Sequence, residues 1–239
     1  MPETPDPLVS WLAARDALTV APALLGGTIT TTTDAGPVTV RITETEAYLG
    51  QRDSAAPDPG AHAFRGRTAR NAVLFGPAGH LYVYFTYGMH HCANVVCGQD
   101  GVATGVLLRA GEVVDGLPLA RRRRDAGRSA DTRSAPDWDL ARGPARLARA
   151  LGLHLRDNGV PIAPGVEDPR SAFDEAADPV RSVRVQLAGP APDGHVSTGP
   201  RVGVSGPGGS ADYPWRFWLT DDPTVSPYRP AVQRRRVTR

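Results

Sequence analysis

Two carboxylates separated by a single residue, Glu44 and Glu46, stand in the stretch VRITETEAYLG (Val40–Gly50), among residues that favour a sheet. Val38, Val40 and Ile42 alternate with Thr39, Arg41 and Thr43, the period-two signature of a half-buried strand. Continued without a break, that alternation carries Glu44, Glu46 and Tyr48 onto the apolar face. A carboxylate turned toward a core is costly unless it is paired, hydrogen-bonded or protonated. The pattern therefore means either a strand end that leaves the core or a working acid or base.

Three further groups could do chemistry. Aromatic residues make up only 6% of the chain, yet Tyr82, Tyr84, Phe85 and Tyr87 crowd beside Gly88. They read as sheet packing or as a stacking platform with a protruding aromatic tip, where each stacked base is worth about 1–3 kcal/mol. His90, His91 and Cys92, with Cys97 beyond, invite a zinc reading, but adjacent strand residues face opposite ways and no second pair has ligand spacing, so no metal is expected. All 27 basic residues are arginine, which excludes lysine Schiff-base chemistry and leaves another nucleophile or water. Arg121–Arg124, the tail Arg234–Arg236 and a helix opening at Gly143-Pro144 in ARGPARLARA read as phosphate grips or as solvated faces.

The elements that must position these groups follow from pattern and punctuation. Leu8–Leu25 carries a helical pattern interrupted near Pro22 and closed by Gly26-Gly27. GTITTTT and VTVRITETEAY read as a hairpin turned by Asp34, Gly36 and Pro37. From Gln51 to Asn71 a long loop rich in Pro and Gly holds His62, and loops of that length are usually functional or disordered. HLYVYFTYGMHHCANVV reads as two strands or one strand broken at Gly88, and ATGVLLRAGEVVDG as another with Arg109 at its end. Leu117–Arg149 looks helical with a polar interruption, and RSVRVQLAG, RVGVS and WRFWLTD read as late strands.

A chain of 239 residues with 41% hydrophobic content has enough apolar material for a core. No apolar run approaches the ~20 residues that span a bilayer, and the start lacks a signal-peptide pattern, so a cytoplasmic, nucleoid-associated protein without membrane attachment is expected. Two cysteines are too few for a disulfide framework and read as reduced, buried thiols. The net charge of +2 says little about partners.

Taken together, RITETEAYLG, HAFRGRTARN, GHLYVYFTYGMHHCANVV, GVLLRAGEVVDG, ARGPARLARALGL and RVGVS…WRFWL resemble the alkyladenine (3-methyladenine) DNA glycosylase family, in order, from about Ala17 to Tyr228. The resemblance implies an α+β fold: one domain at 17–229 with a curved antiparallel sheet, surrounding helices and a protruding β-hairpin, similar to the C-terminal domain of methionyl-tRNA formyltransferase. Residues 1–16 would be an N-terminal extension and 230–239 a basic tail. It implies a monomer without cofactor or metal that flips alkylated or deaminated purines from double-stranded DNA, costing a few kcal/mol, and hydrolyses the N-glycosidic bond. Glu46 aligns with the general base that activates a water, Arg109 with a residue positioning that water, and the backbone near Val225 with a supporting carbonyl. Tyr48, His62 and Tyr84 align with the walls of the base pocket, Asn94 with the residue that excludes guanine, and Tyr87 with the wedge that fills the gap. Arg65 and Arg146 are assigned to phosphates, and Glu44 to a structural role.

The chain departs from the family pattern in the Pro/Gly-rich SAAPDPGA before His62, in Ala69 where proline is expected, and in the enlarged late loop SGPGGSADYP. Two other classes compete: a non-catalytic nucleic-acid-binding module of the same fold, and a nucleoside N-ribohydrolase. The first does not need Glu46, Tyr48, Tyr84, Asn94 and Arg109 together, and the second does not need Tyr87 or an arginine surface.

Overall fold

The structure is a computed structural model, described over residues 6–86, 88–127, 129, 133–163, 180–189 and 195–231; Tyr87 and the tail Arg234–Arg236 lie outside the described residues. The fold is α+β, an open sheet with few helices. Helices α1 (Pro7–Ala13) and α2 (Ala17–Ala23) each start on an aspartate, Asp6 and Asp16, whose side chain accepts a first-turn backbone N–H. The expected break at Pro22 is thus displaced. The chain breaks at 14–16, where Asp16 caps a new helix, and Pro22 sits in the last turn of α2.

Strands β1 (Thr28–Thr33) and β2 (Gly36–Tyr48) form the expected hairpin, with Gly36 and Pro37 already paired to Thr33 and Thr32, so that Asp34-Ala35 is the turn. Strands β3 (Leu81–Thr86) and β4 (His90–Val96) pair antiparallel across a break at Gly88, whose φ of 65° favours glycine. Strand β5 (Gly105–Asp115) lies between β4 and β2, with Arg109 in its middle rather than at its end. Helix α3 (Leu117–Asp125), the short β6 (Ala141–Arg142) and α4 (Pro144–Leu151) follow, then β7 (Ser182–Gln186), β8 (Val196–Gly199) and β9 (Arg216–Leu219). The order is β3-β4-β5-β2-β1-β7, with β6 on β5, β9 on β2 and β8 on β9, and every one of these pairs is antiparallel. RVGVS is a turn, not a strand: its Val202 N–H goes to the Glu46 carboxylate and its Gly203 N–H to the Arg229 carbonyl, and β8 just before it takes the place beside β9.

One irregularity decides where the carboxylates go. Between β2 and β5, Ile42 pairs with Gly111, Glu44 with Ala110 and Thr45 with Leu108, so Thr43 on one strand and Arg109 on the other are extra residues. Such bulges re-aim the side chains that follow. Val38, Val40 and Ile42 pack in the main core, and past the bulge the core residues are Ala47 and Leu49, with Thr45 Oγ1 donating to the Ala21 carbonyl of α2. The alternation has flipped: Glu44, Glu46 and Tyr48 do not share the apolar face of Val38, as simple period-two reading expects, but lie on the opposite one, the two glutamates buried and Tyr48 half-buried. Leu8 and Trp11 of α1, together with α2, α3 and α4, cover the core side of the sheet. Among the described residues no helix is long and apolar enough to cross a membrane.

Candidate active site

On the flipped side, a cavity of about 450 Å³ is floored by Glu46, Leu107 and Arg109 and walled by Tyr48, His62, Tyr82, Tyr84 and Asn94. The strand pairings explain this company. Glu46 is the register partner of Leu107, Leu107 of Asn94, and Asn94 of Tyr82, so a row across four strands meets at one spot. The loop at 49–71 contributes His62, and the turn after Arg201 contributes Val202. Pro144, the first residue of α4, reaches the cavity from the other side, beside first-turn N–H groups that have no side-chain cap.

The two glutamates have different surroundings. Glu44 is fully buried and spent: Oε1 accepts from Arg109 Nε at 2.8 Å and Arg216 Nε at 2.7 Å, and Oε2 from the Ser226 N–H at 2.8 Å. Burial alone pushes its carboxyl up, but the charges of Arg109 and Arg216 and the bonds from Ser226 outweigh it and hold it below the ordinary glutamate value. Glu46 faces the cavity. Its Oε1 accepts from the Val202 N–H at 2.6 Å and lies 3.3 Å from Arg109 Nη1, and its Oε2 accepts from the Tyr48 hydroxyl at 2.8 Å. With one donor on Oε2, that oxygen keeps acceptor capacity for a further partner. Arg109 therefore bridges both carboxylates. Burial costs its guanidinium charge, and Glu46 and Glu44 restore it and raise its pKa. Burial and then the Glu46 charge push the Tyr48 phenol well above the ordinary tyrosine value, which keeps it a donor at any physiological pH.

The aromatic wall is ordered. Tyr84 stacks on Tyr82 with ring centroids 5.4 Å apart and meets His62 edge-on at 4.5 Å. His62 keeps part of its surface in solvent. Desolvation among the rings, then the Arg70 charge, lower its pKa, so the imidazole is neutral at pH 7. Asn94 Nδ2 donates to the Tyr82 carbonyl, which fixes the orientation of its amide inside the cavity. Cys92 lines the cavity and Cys97 is buried, with burial pushing the Cys97 thiol to about 12; both are free thiols.

The remaining expected residues are dispersed. Arg65 is exposed on the loop three residues past His62. Arg146 stands in the first turn of α4 in an ion pair with Asp139. Val225 does not line the cavity and its carbonyl accepts from Arg142 Nε at 2.8 Å; the backbone group that touches Glu46 is the Val202 N–H. Of the arginine run, Arg121 pairs with Asp137, Arg123 donates to the Ala150 carbonyl and Thr33, and Arg124 pairs with Asp139. Among the described residues no three His, Cys, Asp or Glu side chains gather as a metal would require.

Sequence reasoning missed three residues. Arg201 and Asp58 form a fully buried bidentate pair at 2.6 and 2.8 Å, with Arg201 Cζ 4.5 Å above the Tyr48 ring. Arg216 is the second cation on Glu44. The only trace in the sequence is an arginine leading each of two short apolar runs, RVGV and RFWL; Asp58 leaves none in its loop.

Comparison with known proteins places this geometry. Residues 11–223, which contain the whole cavity, match the family model described as Methylpurine-DNA glycosylase (MPG). A protein of Streptomyces avermitilis named "Putative 3-methyladenine DNA glycosylase" is 49% identical over 233 residues, covering 97% of this chain and 96% of that one. Proteins of the same name from Nocardia farcinica and Leifsonia xyli subsp. xyli are 49% and 50% identical, covering 90% and 89% of this chain and 88% of each relative. With the match running through the sheet, both loops and every cavity wall, the chain belongs to the methylpurine-DNA glycosylase family.

Proposed function

We propose that this protein excises alkylated or deaminated purines from duplex DNA, with 3-methyladenine, 7-methylguanine, hypoxanthine and ethenoadenine as the substrate class, by attack of a water that Glu46 activates. Family membership makes it a DNA glycosylase, a hydrolase of the N-glycosidic bond. The observation that carries the finer reading is the Glu46 carboxylate, which is buried, oriented by three donors and open toward an aromatic cavity. A nucleotide extruded from the duplex enters between the aromatic walls, since base chemistry cannot be done inside the stack. Tyr48, Tyr84 and neutral His62 present electron-rich faces to it, which favours a purine made cationic by alkylation. Asn94, held by the Tyr82 carbonyl, crowds the position of a guanine 2-amino group.

The chemistry then needs a water at C1′ on the side away from the departing base. Glu46 Oε2, with its spare acceptor capacity, takes the proton of that water, and Arg109 fixes the carboxylate and the water. The same carboxylate stabilises the cationic sugar that develops as the bond breaks. Tyr87 fills the gap in the stack. The protein acts as a monomer and leaves an abasic site.

The test is base release from duplexes carrying one damaged purine, read by alkaline cleavage at abasic sites. A positioned base contributes about 10²–10⁴-fold, so Glu46→Gln should lower the single-turnover rate by at least about a hundredfold while the variant still binds the duplex. A Glu46→Gln enzyme as fast as wild type overturns the assignment of the base. Duplex binding with no release from any of the four substrates favours the non-catalytic binder, and release from free nucleosides alone favours the ribohydrolase.

A further inference from the structure

The aromatic walls of the base cavity differ in what lies behind them. Tyr84 is backed by the Tyr82 ring, stacked on it with centroids 5.4 Å apart. Tyr48 is backed by a charge. Arg201 Cζ lies 4.5 Å from the Tyr48 ring centroid, and its fully buried side chain does not line the cavity, so the phenol ring stands between the guanidinium and the cavity. The guanidinium is fixed there by the carbonyls of Ala47 and Gly208 and by the Asp58 carboxylate at 2.6 and 2.8 Å. Burial works against its charge, and the bonds and charges of its partners, Asp58 foremost, more than restore it.

A cation on one face of an aromatic ring weakens the attraction that the other face offers to a second cation. A base stacked about 3.5 Å from the Tyr48 ring sits about 8 Å from Arg201 Cζ, a separation at which charges inside a protein still interact. A neutral purine is little affected. A purine made cationic by alkylation is repelled. Asp58 offsets the repulsion, because its carboxylate holds the same guanidinium by two hydrogen bonds and carries the opposite charge.

We infer that the Asp58–Arg201 pair sets the preference of the base cavity between cationic and neutral purines: Arg201 weakens the hold of Tyr48 on a cationic base, and Asp58 moderates that effect. This rests on the DNA glycosylase reading given above. Both residues determine specificity through Tyr48, without touching the base themselves. The pair also joins two loops beside the cavity, and loosening them slows every substrate alike. A change of charge behind Tyr48 acts on one substrate class more than on the other.

The experiment is single-turnover base release from matched duplexes carrying either 7-methylguanine, which is cationic in mildly acidic buffer, or hypoxanthine, which is neutral. The readout is the ratio of the two rates relative to wild type, in which the intrinsic difference between the two glycosidic bonds cancels. Asp58→Asn leaves the guanidinium unbalanced and should lower the ratio about three- to tenfold. Arg201→Gln removes the cation and should raise the ratio by about the same factor. The double variant Asp58→Asn/Arg201→Gln should return it to within about twofold of wild type. Both single variants break the same contact, so shifts of opposite sign cannot come from loosening. Each single variant carries its own sign, so whichever folds, checked by far-UV circular dichroism, decides the matter with the double variant. Ratios that stay at the wild-type value, or that move the same way in both single variants, overturn the inference and leave the pair a purely structural role, with base release by wild type intact. Release of neither base by wild type overturns the glycosylase reading and this inference with it.

Discussion

Glu44 and Glu46 differ by what surrounds them, and each should fail differently when changed. Glu44 offsets two buried arginines, so Glu44→Gln leaves Arg109 and Arg216 short of a counter-charge, and breaking a buried pair in this way costs about 3–5 kcal/mol. Its folded-state pKa lies below its unfolded value of 4.5, so its contribution is complete above that value and disappears as pH falls through the lowered folded one. Urea unfolding of wild type should therefore show stability that declines below about pH 4.5, with Glu44→Gln less stable at neutral pH and flatter in acid. Parallel curves for the two proteins would show that the arginines draw nothing from Glu44. Glu46→Gln, by contrast, can keep the Val202 N–H and Arg109 on its amide oxygen and turn its NH2 to the Tyr48 hydroxyl oxygen, and should lose rate rather than stability.

At the scale of elements, the paired bulges at Thr43 and Arg109 let one strand serve two faces. Upstream of them β2 feeds the core with Val38, Val40 and Ile42, and downstream it presents Glu46 and Tyr48 to the cavity, with Glu44 buried behind them on Arg109 and Arg216. Gly111, partner of Ile42 at the edge of the irregularity, is held tightly there: a Cβ on it would collide with Val40 Cγ1 and the Arg41 carbonyl. Gly111→Ala must push β5 away from β2, at a cost of about 1–3 kcal/mol, with Glu46 carried off its donors. Lower thermal stability together with slower base release is the expected pair of outcomes; lower stability at an unchanged rate would show that the bulge does not set the position of Glu46. The sequence made the β1–β2 hairpin legible, because alternation and turn residues are local signals, and left the β3–β4 stretch as two strands or one broken at Gly88, which the structure resolves as two paired strands. It also picked out the five residues Glu46, Tyr48, Tyr84, Asn94 and Arg109, which the structure brings to one cavity. It did not reveal the flip at Thr43, since a bulge is set by the partner strand and leaves the period-two pattern looking continuous. RVGVS alternates like a strand, yet its backbone turns to give the Val202 N–H to Glu46.

Across the whole molecule, the site is closed by two loops far apart in sequence, which meet at the Arg201–Asp58 pair and where Gly208 packs against Gly60. Arg201 reaches from the late turn to Asp58 in the early loop, and also donates to the carbonyls of Ala47 and Gly208. Its guanidinium fills a nest of Tyr48, Tyr213 and Trp215 rings. Gly60 and Gly208 allow this, because a Cβ on either would run into the guanidinium. A contact spanning 143 positions has no local signature, which is why a reading along the chain passes over it. Its consequence is mechanical: the next residue, Val202, is the donor on Glu46, and Tyr48 is the wall beneath Arg201. Asp58→Asn should thus loosen both loops at once. Hydrogen exchange is expected to speed up together in residues 50–61 and 201–209, while β3 and β4 keep their protection, because local opening follows contiguous cooperative units. Base release should slow as the Val202 N–H leaves Glu46. If only the early loop exchanges faster, Arg201 is held by its carbonyl partners and aromatic nest alone, and the ion pair does not couple the two sides of the site.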